Sequence, residues 1–382
     1  MLDCCSVPKE LPLSGVRVFE FGSNVAGPYA GWILAEMGAD VVKIERLEGD
    51  DARSWGPPFW NGSATLFHTV NRNKKSCSVD LKDSEAVERL RGRILREADV
   101  VLQNLRPGVA AELGFSAESL TAENPRLIYC NLHGYGARGP LKDRPGYDAL
   151  VQAFGGIMSV TGEEGHPPVR AGISVIDAGT GMWCAIGILG ALYRRALTGK
   201  GGIVDASLFE TALGWMAFHA SAFQASGDTP MRLGTATRGI APYQGYACSD
   251  GVLMIAASND RLFAKLARAL DHPEWPEQDR FRTNPSRVAN QGALNQLLDE
   301  ILITAPREHW QRILDAAGVP NSPVQTVEEL LAHPQTAALA MAQDTGDPGM
   351  KLFGLPLSFE GTRPPLRNIA PALGAGNQNQ EE

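Results

Sequence analysis

Residues 16–44 constrain the fold more than any other stretch of this chain. The run 16–21, rich in valine and phenylalanine, reads as a buried strand and leads into the turn Gly22-Ser23-Asn24. A helix opens with Gly27-Pro28, carries Tyr29, Trp32, Ile33, Leu34 and Met37, and stops at Gly38. Proline is favoured in the first helical turn and glycine just past the last. A second strand, 40–44, follows at once. Strand, helix and strand in about thirty residues make a βαβ unit, whose strands run parallel and whose crossover is right-handed.

The alternation continues with a helix over 84–98, a strand over 99–103, a short helix over 117–121 and a strand over 126–130. The most apolar helix of the chain follows Asp177, and a strand over 202–206 comes next. The expectation is an α/β protein with a Rossmann-like open parallel sheet in a large domain over 10–200. A linker helix is expected over 201–225. Beyond it, strands over 243–246 and 252–256 flank the turn Ser249-Asp250-Gly251, and helices follow over 261–270, 291–304 and 308–317. These predict a smaller α+β domain over 226–323. Pro334, Pro348, Pro356, Pro364, Pro365 and Pro371 break up the segment 324–373, which must therefore return to the large domain. Residues 374–382 are polar and read as a disordered tail. At 382 residues, two domains are also what chain length favours.

With 44% hydrophobic and 20% charged residues the chain reads as a globular protein. A formal charge of −8 leaves no footprint for nucleic acid or an anionic membrane. The longest apolar run, near 182–193, is shorter than a bilayer requires. The six cysteines have no zinc or disulfide-framework spacing, and the neighbours Cys4 and Cys5 cannot bridge each other without strain. The N-terminal residues lack a secretion signal, so a reducing, cytoplasmic location is expected. The seven histidines are scattered singly and read as structural or surface residues.

The first strand–helix turn is not G-x-G-x-x-G: Gly22 and Gly27 lie five apart. Glu45 stands where a dehydrogenase places its ribose acid, but without those glycines it is weak evidence. No Walker A loop, H-E-x-x-H, G-x-S-x-G or His/Cys metal spacing occurs. Basic residues do recur after strands, at Arg46, Lys74-Lys75, Lys82 and Arg106. The ends of parallel strands face one crevice, so these charges point to a phosphate-bearing ligand, with solvated surface charge as the plainer alternative for each.

Asp177 has two readings. It ends an extended segment and precedes the apolar helix, where unpaired N–H groups hold a carboxylate ionised. That suits a nucleophile and equally an N-cap, and on local sequence the cap is the commoner role. On the cap reading, asparagine would replace it within about 1 kcal/mol.

The order and spacing of several motifs resemble the family III CoA-transferases, the group of formyl-CoA transferase and carnitine CoA-transferase. The resemblance runs from about Leu11 to about Pro371. Its markers include Val25-Ala-Gly-Pro-Tyr-Ala-Gly31, Gly38-Ala-Asp-Val-Val-Lys-Ile-Glu-Arg46, Asn71-Arg-Asn-Lys-Lys-Ser76, Asn104-Leu-Arg-Pro-Gly108 and Asp279-Arg-Phe-Arg-Thr-Asn284. It implies that Asp177 is the nucleophile. It places Val25, Ala26, Arg46, Val79, Asp80, Leu81, Lys82, Asn104, Leu105, Arg106, Tyr147 and Asp148 at the site for CoA and the acyl group. It implies no cofactor beyond CoA and acyl-CoA as substrates, a carboxylic acid as the second substrate, and a homodimer of two interlocked chains.

Formyl-CoA transferases carry glutamine at the position of Val25, which turns expectation away from formyl and oxalate. Their tetraglycine lid has no counterpart around 232–242. Two alternatives share the basic crevice. An α-methylacyl-CoA racemase-like isomerase would need a histidine at Tyr147 and a glutamate near Asn259, and tyrosine is a poor base at neutral pH. A non-catalytic acyl-CoA-binding protein would not need Asp177.

Overall fold

The computed structural model describes residues 11–377. Cys4, Cys5 and positions 378–382 of the expected tail lie outside the described residues.

Six strands form one parallel sheet: β1 (Arg17–Phe21), β2 (Asp40–Glu45), β3 (Lys75–Ser78), β4 (Val100–Gln103), β5 (Ile128–His133) and β6 (Gly202–Ser207). Their order is β3-β2-β1-β4-β5-β6. This is the doubly wound arrangement, in which the chain reverses direction across the sheet between β1 and β4 and opens a crevice at their carboxyl ends. The helices used below are α1 (Ala26–Glu36), α2 (Ser84–Glu97), α3 (Asp148–Phe154), α4 (Val175–Thr198), α5 (Leu208–Trp215) and α6 (Ala217–Ser226).

Alternation along the strands sorts two cores. Val18, Val41, Val100, Leu102, Ile128 and Cys130 face α1 and α4. Phe19, Val42, Ile44, Val101 and Tyr129 face the opposite way, against Leu90 and Ile94 of α2. Both sheet faces are thereby covered, as a parallel sheet requires. Cys77, Cys130, Cys184 and Cys248 are all buried.

Four expectations need correction. The edge strand β3 escaped the pattern because its sequence, Lys-Ser-Cys-Ser, offers one apolar residue. Helix α4 begins two residues before Asp177 and runs 24 residues, long and apolar enough by composition to cross a bilayer. It is a core helix, because Ile176, Cys184, Ala185, Ile188 and Ala191 are buried in the same cluster as α1. Residues 201–225, expected as a linker helix, contain β6, α5 and most of α6. Finally, 374–377 are ordered: Gly376 donates to Ser76 O at 2.7 Å and Asn377 Oδ1 accepts from Ser78 N at 3.0 Å, which covers the open edge of β3.

The chain divides into two compact units. One holds the described residues up to Met158, Arg170–Asp228 and the described residues from Pro334; the other holds Ser159–Val169 and Thr229–His333. The small-unit boundary lay at 226–323 in the sequence reading, which had no signal for the contribution of 159–169. In the first unit, Asn73 anchors the C-terminal segment, its Oδ1 accepting from Arg367 N at 2.7 Å and Asn368 N at 2.9 Å. The second unit has an antiparallel sheet of β7 (Tyr243–Cys248), β8 (Gly251–Ala256) and β9 (Asn321–Pro323), with β8 central. Its core includes Tyr246, Leu253, Ile255, Phe263, Leu266 and Leu298. Arg287 is fully buried there, donating to Ala241 O at 2.7 Å and pairing with Asp260 at 2.8 Å.

Candidate active site

A cavity of about 720 Å³ opens in the first unit at the carboxyl ends of β1, β2, β4 and β5. Val25, Ala26, Arg46, Leu81, Asn104, Leu105, Arg106, Tyr147, Asp148 and Asp177 all line it. Val79, Asp80 and Lys82 are not among the lining residues. Val79 packs against the core on the Phe19 face. Asp80 Oδ1 accepts from Lys82 N at 2.9 Å in an exposed turn, and the Lys82 side chain lies in solvent.

The turn after β1 is held from beneath by buried charge. Glu20 on β1 and Lys43 on β2 are register partners, both with fully buried side chains. Lys43 Nζ lies 2.9 Å from Asp50 Oδ2 and donates to Gly22 O. Asp50 Oδ1 accepts from Asn24 N at 3.1 Å, and Asn104 clamps Ser23 from the side, accepting from its N–H at 2.8 Å and donating to its carbonyl at 2.9 Å. Burial opposes the Lys43 charge, but Glu20, Asp50 and Glu45 outweigh it and hold its pKa above the ordinary lysine value. Helix α1 can cover these groups only because Gly31 is a glycine; a Cβ there would sit 1.7 Å from Glu20 Oε2.

Two sequence candidates are consumed by this layer. Lys74, read as a crevice cation, is fully buried with Nζ 2.7 Å from Glu20 and 2.8 Å from Pro28 O. Burial lowers its pKa to about 8 against the pull of Glu20. Glu45 is held by Arg53 at 2.7 Å and Ser76 at 2.6 Å, which leaves it no freedom to bind a ribose. Lys75 pairs with Asp40 at 2.7 Å on the exposed edge.

The cap question is settled by a residue from another helix. Asp177 is the third residue of α4, and Ser174 at the N-cap position makes no side-chain cap bond. Asp148, the first residue of α3, supplies the acceptor: its Oδ2 receives Ile176 N at 2.8 Å and Asp177 N at 3.2 Å. Its Oδ1 accepts from Gln152 Nε2 at 2.5 Å, and Gln152 Oε1 accepts from Ala171 N at 2.8 Å. No described residue donates a hydrogen bond to the Asp177 carboxylate. Burial, with the charge of Asp148 added, raises its pKa to about 7. One turn along α4, a Cβ on Gly181 would lie 2.8 Å from Ala26 O. Residues four apart share a helix face, so Asp177 stands on the face that packs against the start of α1.

Four lining arginines were only partly foreseen. Arg46 donates to Gly49 O at 2.9 Å and pairs with Asp51. Arg144 lies over the Tyr135 ring, 5.5 Å from its centroid. Arg106 and Arg170 make no side-chain hydrogen bond or ion pair among the described residues. Sequence reasoning missed Arg144, Arg170, Gln152 and the Lys43–Asp50 clamp. Only Gln152 left a readable signal, its spacing of four from Asp148 within a helix.

The isomerase alternative finds no support in these positions. Tyr147 is half exposed on the cavity wall. Asn259 caps the helix Asp260–Ala269, accepting from Leu262 N at 3.0 Å.

Comparisons with known proteins agree. The family model for CoA-transferase family III matches residues 13–377. Succinate–glutarate CoA-transferase of Agrobacterium fabrum is 36% identical, over 97% of this chain and 94% of its own. Acetyl-CoA:oxalate CoA-transferase of Acetobacter aceti is 38% identical, over 92% of this chain and 90% of its own. The crystal structure of a CAIB/BAIF family protein from Brucella suis superposes with a TM-score of 0.89 at 40% identity, covering 98% of this chain and all of that one. A parallel doubly wound sheet, a cavity at its switch point and these matches over nearly the full chain place the protein among the family III CoA-transferases.

Proposed function

We propose that this enzyme moves CoA between two dicarboxylic acids through a covalent cycle on Asp177. The carrying observation is that Asp148 caps α4, while Asp177 lines the cavity with no described residue donating to its carboxylate. A carboxylate with a raised pKa is also the more basic nucleophile once ionised.

The cycle needs no oxidant and no net proton. Asp177 attacks the donor thioester carbon, and collapse of the oxyanion expels CoA thiolate and leaves a mixed anhydride. The thiolate attacks the aspartyl carbonyl, expels the donor carboxylate and leaves an aspartyl-CoA thioester. The acceptor carboxylate attacks this thioester, expels the thiolate and forms a second anhydride. The thiolate then attacks the acceptor carbonyl, giving the new CoA thioester and the free Asp177 carboxylate. Each step passes through an oxyanion that needs fixed N–H donors and a water-poor site. Arg106, on the loop after β4 and without an ion pair among the described residues, suits the phosphates of CoA, and Arg46, on the loop after β2, would join it by exchanging its exposed pair with Asp51 for a phosphate. The names of relatives that exchange succinyl and glutaryl groups support four- and five-carbon dicarboxylates as substrates.

Incubation with acyl-CoA alone should place CoA on the peptide containing Asp177, releasable by hydroxylamine, and radiolabelled CoA should then pass to a second acid. An adduct on Asp148, or exchange of the α-proton with solvent deuterium in place of transfer, would refute this reading.

We also infer a cytoplasmic, interlocked homodimer. Its support within the first unit is the apolar surface of α4 and α6, where Trp183 is 50%, Tyr193 70% and Phe218 89% exposed. Interlocked chains cannot separate without unfolding, so sizing at nanomolar concentration should still report a dimer. A reversible monomer at that dilution would refute interlocking.

A further inference from the structure

We propose that Arg170 binds the far carboxylate of a dicarboxylic acyl group and thereby sets the preference for dicarboxylates over monocarboxylates. The proposal deepens the reading of Asp177 as acyl acceptor and rests on it for the location of the acyl chain.

Arg170 lines the cavity together with Asp148 and Asp177, yet pairs with neither. A guanidinium without a carboxylate partner among the described residues is free to take an anion from a ligand. Arg46 pairs with Asp51 and donates to Gly49 O, whereas Arg144 lies over the Tyr135 ring on the loop after β5. Arg106 is also unpaired, but it sits on the loop after β4, beside Asn104 and the turn after β1.

What distinguishes Arg170 is how its backbone is tied to the nucleophile. The N–H of the next residue, Ala171, is received by Gln152 at 2.8 Å. Gln152 is fully buried and donates to Asp148 at 2.5 Å. The other oxygen of Asp148 receives the N–H groups of Ile176 and Asp177. One pair of side chains therefore pins the backbone at both ends of the segment between Arg170 and Asp177, and so ties the root of the cation to the reacting residue.

CoA carries its phosphates at the nucleotide end, remote from the thioester, so a cation tied to the nucleophile meets the acyl chain. A monocarboxylic acyl group has nothing to offer it. A dicarboxylic one ends in a carboxylate, which a guanidinium holds through two parallel hydrogen bonds. A polar group desolvated for such a partner discriminates strongly against ligands that lack it.

The test is Arg170→Gln, with acetyl-CoA as donor and glutarate or butyrate as acceptor. We expect the KM for glutarate to rise about 30-fold or more, with kcat changed far less, while kcat/KM for butyrate stays within about threefold. Arg170→Lys should restore part of the glutarate KM. Equal losses for both acids, or no loss for either, would overturn the proposal. The acetyl-CoA adduct on the Asp177 peptide separates the two readings. A selective loss with glutarate supports Arg170 even if no adduct forms, and a normal adduct with no selective loss removes Arg170 while leaving Asp177 in place.

Discussion

Asp177→Asn should reduce CoA transfer to background, by about 1,000-fold or more, and should make the folded protein more stable at pH 8. An amide cannot form the anhydride, so the loss falls on kcat while acyl-CoA binding persists. The stability gain follows from the raised pKa. Free aspartate titrates near 3.9, and Asp177 in the fold titrates at about 7. Below about pH 4 the carboxyl is protonated in both states and costs nothing. Between about 4 and 7 the unfolded chain releases a proton that the folded chain retains, so wild-type stability declines with rising pH and levels off above 7. The full separation, roughly three pKa units, would correspond to about 4 kcal/mol. Partial exposure of the side chain reduces this to about 1–2 kcal/mol. Denaturation midpoints at pH 4 and pH 8 should therefore agree at the lower value and favour the asparagine variant at the higher. The same pKa places the rise of wild-type kcat/KM with pH near 7. Transfer that survives in the variant, or a variant less stable at pH 8, would show that Asp177 serves the fold after all.

The sheet was legible in the sequence because each central strand is a run of β-branched or aromatic residues between a turn and a helix cap. Those runs also marked where the carboxyl ends, and hence the crevice, must lie. The edge strand Lys75–Ser78 was not legible, since a strand of alternating small and polar residues carries no periodic apolar signal. Asp177 was visible as one acid before an apolar helix, but cap and nucleophile predict the same local sequence. What argues against the cap is Asp148, some thirty residues away, whose carboxylate takes the cap bonds. Lys74 shows the converse. A lysine after a polar stretch reads as a crevice cation, and only the pairing of β1 with β2 under a glycine-bearing helix shows that its partner is the buried Glu20. Hydrophobic pattern gives the elements; which charge faces which depends on register.

Lys43→Met should lower stability at pH 7 by about 3–5 kcal/mol, the cost of removing one member of a buried ionic cluster. The methionine fits the volume and is apolar, so the loss comes from what it leaves behind. Asp50 keeps a buried carboxylate whose nearest cation is gone, Gly22 loses its carbonyl donor, and Glu20 is left with Lys74 alone. In the wild type, burial works against the Asp50 charge, and Lys43 outweighs it and holds the Asp50 pKa below the usual range. That stability is present above the unfolded pKa and lost on acidification through the folded one. In the variant the sign reverses: desolvation without Lys43 raises the Asp50 pKa, and the folded state gains by taking up a proton. The destabilisation should therefore shrink as pH falls from 7 toward 5. Because Asp50 also receives Asn24 N, the variant should loosen the turn that brings Val25 and Ala26 to the cavity. The KM for acyl-CoA should rise in the fraction that remains folded. A variant as stable as wild type at pH 7, or one whose deficit is the same at pH 5, would mean that the cluster does not hold its charge in the folded state. A variant that loses stability and keeps wild-type KM would mean that the clamp serves the sheet and not the site. The buried charges beneath α1 are thus open to test as the support of the turn above them, separately from their part in the core.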